Sequence, residues 1–158
     1  MTKPIDESLR QFSGYNIKRA FTVIQSDVNA SLKPFGLRML SFSVLSVITA
    51  NTGLRQSQLA DALAMERPNI VQLIDELEVA GWIIRNRDPN DRRAWVLTST
   101  LKGREMCAKA TAAVQAHDTR MIDGLSDDDR KGLITILRRI EANGHKGKED
   151  GHAAVSTA

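Results

Sequence analysis

The sequence predicts a mainly α-helical fold that carries one small β-hairpin, and three observations predict it. Apolar residues recur at three- and four-residue spacing over most of the chain. Two short apolar segments, IIRNR at 83–87 and AWVLT at 94–98, flank a turn that begins DPND. Between the helical patterns stand Pro34 with Gly36, Asn51 with Gly53, and Gly81, residues that stop helices by lacking an N–H or by tolerating left-handed backbone. With 158 residues, 42% of them hydrophobic, the chain has the size of one folded unit with a real core.

The elements follow in order. Leu9, Phe12, Ile17, Ala20, Phe21, Ile24, Val28 and Leu32 lie along one side of a long first helix. Leu40, Val44, Leu45, Val47 and Ile48 make a second, mostly buried helix. QSQLADALAM, 56–65, is a short third helix with Leu59, Leu63 and Met65 inward, and its alanines permit close packing. The fourth begins near Glu66, because Pro68 is tolerated only in a first turn, where its missing N–H loses no helical bond. Ile70, Leu73, Ile74, Leu77 and Ala80 are its inward stripe, which turns Arg67, Asn69 and Gln72 toward the other face. Gly81 ends it. The two apolar segments then form an antiparallel hairpin with a six-residue basic tip, placing Trp95 and Leu97 on one face and Val96 on the other. A fifth helix spans about 100–123 and a sixth starts at a Ser126 cap, with Leu133, Ile136, Leu137 and Ile140 as its stripe and Gly144 as its end. Residues 144–158 lack an apolar period and are expected to be a disordered tail.

Short helices followed by a hairpin spell a helix-turn-helix with a wing, an order that sets one helix in the major groove of DNA and a basic tip across the backbone. The charge agrees. The formal net charge is only +3, yet residues 82–104 carry Arg85, Arg87, Arg92, Arg93, Lys102 and Arg104 against Asp88 and Asp91, so the positive field is local, as phosphate binding requires. Cys107 is the only cysteine, which excludes an internal disulfide and fits a reducing compartment. With no long apolar run and no signal-like segment, a cytoplasmic location is expected. No metal-ligand spacing, phosphate loop or nucleophile motif is present, so no cofactor, no metal and no catalytic residue is expected. Cys107 and His117 are ten residues apart, ~15 Å along one helix and too far for shared chemistry.

At four places in the correct order the chain resembles the MarR family of winged helix-turn-helix regulators. These are GLR at 36–38 before FSVL, the LADAL helix, LIDELEVAGWIIR, and DPNDRRAWVLT followed by KGRE, and the likeness covers roughly residues 10–142. The resemblance implies a homodimer whose helices from both termini, 1–35 and 100–143, interlock, and a winged lobe over 36–99 that reads a palindromic site on double-stranded DNA. It also implies a small-molecule effector held between the dimerisation helices and the lobe, which releases the DNA. The residues agree about the dimer, because the first, fifth and sixth helices offer more apolar surface than one small lobe can cover.

Arg67, Asn69 and Gln72 are the base-edge candidates: arginine donates twice to guanine, and Asn or Gln both donates to and accepts from adenine. Pro68 could touch a thymine methyl. Arg55, Gln56 and Ser57, at the start of the third helix, could hold a phosphate; the commoner family pattern has a capping threonine where Arg55 stands. Asp91 and Arg93 hold the family's wing positions, where the resemblance implies that the carboxylate orients the arginine for the minor groove, and Arg92 lies beside them. Arg85 and Arg87 could contact DNA or pair with Asp88 or Glu78, and only Arg87 is counted with the DNA-binding set. Phe12, Asn16, Arg19, Phe21, Ser43 and His117 fall on elements that the resemblance places around the effector, for which an aromatic acid or its coenzyme A ester is expected. Cys107 is expected to be packing. The rival reading is a constitutive or architectural DNA-binding protein without an effector.

Overall fold

The computed structural model describes residues 4–155, the side chains of Arg92 and 145–155 excepted. Helices α1 (Glu7–Arg10), α2 (Ser13–Leu32) and α3 (Met39–Ala50) lead to a two-residue strand β1 (Leu54–Arg55). Helices α4 (Gln56–Ala62) and α5 (Arg67–Val79) follow, then β2 (Ile83–Asp88), β3 (Asp91–Ser99), α6 (Leu101–Met121) and α7 (Asp127–Val155). The chain divides after Asp118 into two compact units.

In the first unit, Val28 and Leu32 of α2 pack with Leu37, Val44, Leu45 and Ile48, with Leu59 and Ala60 of α4, and with the α5 stripe of Ile70, Leu73, Ile74 and Leu77. Ile83 and Leu97 bring the hairpin to this core, and Cys107 and Ala110 bring α6. Cys107 is 6% exposed and behaves as a small apolar group. The sheet is antiparallel in the order β1-β3-β2, with Leu54 opposite Leu97 and Ile83 opposite Ser99.

Four expectations are corrected. The long first helix breaks at Gln11 and Phe12, where the Asn16 side chain donates to the carbonyls of Arg10 (2.7 Å) and Phe12 (2.9 Å) and so satisfies a chain end that a continuous helix would not have. Strand β1 was not expected, since two residues are too few to show a period. The hairpin tip is two residues, Pro89 and Asn90, because pairing continues to Asp88 opposite Asp91 through an irregularity after Arg87. The last correction concerns α7, which runs past Gly144 through Val155 where a disordered tail over 144–158 was expected; 156–158 lie outside the described residues. A lone glycine costs a helix interior about 1 kcal/mol but does not end it without left-handed backbone. Gly144 lacks that backbone, whereas Gly36, Gly53, Gly81 and Gly124 have it.

In the second unit, α7 opens with a reciprocal cap. Ser126 Oγ accepts the Asp129 N–H at 3.1 Å, and Asp129 Oδ2 accepts the Ser126 N–H and hydroxyl. Leu133, Ile136, Leu137 and Ile140 recur along α7 and are each more than 40% exposed.

Candidate nucleic-acid interface and effector cavity

Pro68 sits in the first turn of α5, and Glu66, in extended backbone, starts the helix. Four inward residues are buried, and the rotation between them leaves Arg67, Pro68, Asn69 and Gln72 exposed together. Gln72 Nε2 donates to Glu76 at 3.3 Å, and Arg38 at the start of α3 donates to both Glu76 oxygens, at 2.8 and 3.1 Å. That run of contacts holds the outer face of α5 against the α3 start.

At the wing tip two carboxylates build the turn. Asp88 Oδ1 accepts the Asn90 N–H at 2.9 Å, and Asp91 Oδ1 accepts the Arg93 N–H at 3.0 Å, aspartate turns in which the side chain replaces a missing ladder bond. Asp91 thus orients Arg93 through its main chain. The Arg93 side chain is exposed. Arg87 lies 4.0 Å over the Trp95 ring, and Trp95, on a hairpin that projects past the core, stays 49% exposed while Leu97 on the same face is buried. Arg85 instead pairs back onto α5, with Glu78 and Asp75.

Arg55, at the α4 start, faces the wing. Its Nη2 and Nε donate to Asp88 Oδ2 at 2.7 and 3.2 Å, and Nη2 lies 3.7 Å from Asp91 Oδ2. The Arg55 hydrogen bond, then the Asn90 N–H, holds the Asp88 carboxyl below its ordinary value, and the same bond raises the Arg55 guanidinium. The α4 start is capped by Gln58, whose Oε1 accepts the Arg55 N–H at 2.9 Å. Gln56 is half-buried and Ser57 exposed.

The six effector candidates separate. Ser43 and His117 line one cavity of about 400 Å³, with Ile24, Val28, Met39, Phe42, Thr111, Val114, Gln115 and Asp118. Arg19 lines a different hollow on α2 beside Tyr15 and Lys18, and is tied to Asp6 at 3.2 Å. Phe12, Asn16 and Phe21 line neither. His117, 4% exposed, donates from Nδ1 to Asp27 Oδ2 at 2.6 Å, a bond between α6 and α2. Sequence reasoning missed Asp27, although a carboxylate between Ile24 and Val28 on an apolar stripe was the available signal. It also missed Asp88 as a partner of Arg55, since a contact over 33 residues leaves no local pattern.

The MarR family model matches residues 37–95, the span from the approach to α3 through Trp95. The transcriptional repressor CouR, solved bound to a 23-mer DNA duplex, is 35% identical and superposes with a TM-score of 0.83, over 89% of this chain and 99% of that one. CouR from Rhodococcus jostii RHA1, solved with p-coumaroyl-CoA, is 33% identical with a TM-score of 0.74, over 80% of this chain and 90% of that one. A protein of Thauera aromatica named for regulation of its hcr operon is 38% identical over 99 residues, which are 63% of this chain and 60% of that relative's length. With a basic wing, an exposed polar start to α5 and a likeness that runs nearly the whole length of a DNA-bound repressor, the chain belongs to the MarR family of transcriptional regulators.

Proposed function

We propose that the chain is a homodimeric repressor of the cytoplasm that binds a palindromic operator and is released by a small aromatic acid or its coenzyme A thioester. In this reading Arg67, Asn69 and Gln72 meet base edges, Pro68 a thymine methyl, and Gln56 and Ser57 the backbone. Arg93, with Arg92 beside it and Asp91 holding its turn, enters the minor groove, and Arg87 meets phosphate.

The observation that carries the effector half is the cavity, whose walls come from α3 inside the winged lobe and from α2 and α6 flanking it. A ligand there touches elements of both kinds, so it can favour one spacing of the lobes over another, and differential affinity for two states is all that release requires. Val28, Met39, Phe42 and Val114 suit an aromatic ring, and Ser43 and His117 add polar groups to the same wall. Lys18 and Arg19, on the separate hollow of α2, suit the phosphates of a coenzyme A tail, with Phe12, Asn16 and Phe21 on the same helix and its start. The p-coumaroyl-CoA bound by CouR supports the ligand class.

Selecting duplexes from a random pool tests the reading, followed by challenge of the complex with aromatic acids and their thioesters. Enrichment of a two-fold symmetric site, and release by one compound class, are expected. A site that no compound releases would leave a constitutive DNA-binding protein, and no enrichment at moderate salt would end the operator reading.

A further inference from the structure

Arg55 faces two carboxylates of the wing tip, Asp88 at 2.7 Å and Asp91 at 3.7 Å. Each carboxylate is divided between two tasks. Asp88 and Asp91 use one oxygen to build the turn, on the N–H of Asn90 and of Arg93, and turn the other toward Arg55. Asp88 is only 9% exposed, so its charge is largely removed from water and needs the guanidinium. Moving Arg55 to a phosphate would leave two wing carboxylates unpaired next to a polyanion. The cost would be like-charge repulsion added to lost hydrogen bonds.

We infer that Arg55 is a positioning residue rather than a phosphate ligand: it struts the wing tip against the start of α4 and thereby fixes where Arg93 enters the DNA. Its two donors on one oxygen set direction as well as distance, which a point charge could not do. Strand β1 ties the hairpin to the α4 start only at Leu97 and Val96, short of the tip. The strut supplies the missing restraint, between the tip and the helix pair that carries the base-reading residues.

The inference rests on the reading that the wing meets DNA, and the test separates the two. Affinities of the full chain for its selected duplex are measured for the parent, Arg55→Gln, Arg55→Lys, Asp88→Asn, the Arg55→Gln/Asp88→Asn double variant and Arg93→Ala, with melting followed for each. A strut predicts that Arg55→Gln and Asp88→Asn each weaken binding about tenfold and that the double variant is no worse than either. It also predicts that Arg55→Lys fails to restore binding, and that base preference is lost under the wing while preference under α5 persists. A phosphate ligand predicts the reverse: Asp88→Asn binds as tightly as the parent or more so, having shed a negative charge, and Arg55→Lys is nearly silent. That pattern overturns the strut. If Asp88→Asn melts below the assay temperature, the two Arg55 variants decide alone. If Arg93→Ala binds like the parent, the wing reading itself has failed, whatever Arg55 does.

Discussion

Arg67 and Arg93 are both exposed arginines of one lobe, and the proposed function gives them different tasks on DNA. If Arg67, exposed at the α5 start, donates to a guanine edge as proposed, Arg67→Ala should relax preference at one base position by about 1–3 kcal/mol of discrimination. Arg93→Ala should weaken binding to the selected duplex and flatten the slope of log affinity against log salt by about one. Titrations at several salt concentrations check both, and equal losses on every sequence for Arg67→Ala would remove it from the base-reading set. Acid acts on the same tip. Because Asp88 sits below its ordinary value of 3.8 in the folded chain, its contribution is complete above that pH and is lost as pH falls through the lower folded value. The melting difference between the parent and Asp88→Asn should therefore stay constant from neutral pH down to about 5 and close below 3.8. A difference that closes near pH 6 would assign it to another group.

At the scale of elements, two small residues hold the lobe in shape for opposite reasons. Gly103, the glycine of KGRE, lies so close to the main chain at Trp82 that a Cβ would stand 1.9 Å from the Trp82 carbonyl oxygen. Gly103→Ala must push α6 off the hairpin base and should cost about 1–3 kcal/mol or more. Ala64 has the converse problem. It adopts φ +49 in the turn between α4 and α5, where Met65 N–H reaches back to the Ala60 carbonyl, a helix end that usually takes glycine. Ala64→Gly should raise stability by up to about 1 kcal/mol, read by thermal or denaturant unfolding. These two positions also mark what was legible in the sequence. The helix periods and the Pro68 start came through because they are local, as did the exposed set Arg67, Asn69 and Gln72. The two-residue tip did not, because Asp88 and Asp91 look like turn residues until their oxygens are seen to carry the ladder onward. The Arg55 contacts and the His117 pair with Asp27 were hidden for a different reason: both join residues whose proximity only the packed core creates.

For the whole molecule, the proposed dimer turns on apolar surface that the chain leaves open. Leu133, Ile136, Leu137 and Ile140 are more than 40% exposed on α7, and Ile17 and Phe21 are partly exposed on α2. Burying one such side chain against a second copy contributes about 1.5–3 kcal/mol, and several together favour association. Sedimentation should show a dimer for the parent and a folded monomer for Leu137→Glu/Ile140→Glu, with operator affinity lost alongside. A variant that stays dimeric, or a monomer that still binds the full palindrome at parental affinity, would remove α7 from the assembly.

The stack of Arg87 on Trp95 has an optical consequence. The chain has two tryptophans, and Trp82 is partly buried against the hairpin base, so Trp95 is the indole that solvent and solutes reach. A cation lies 4.0 Å over its ring, close enough for its charge to perturb the indole's emission. If DNA draws Arg87 toward a phosphate, that cation leaves or tilts, and the emission should shift on duplex addition and return as the effector releases it, with the signal absent in Trp95→Phe. The wing would then be its own occupancy gauge, readable in unlabelled protein.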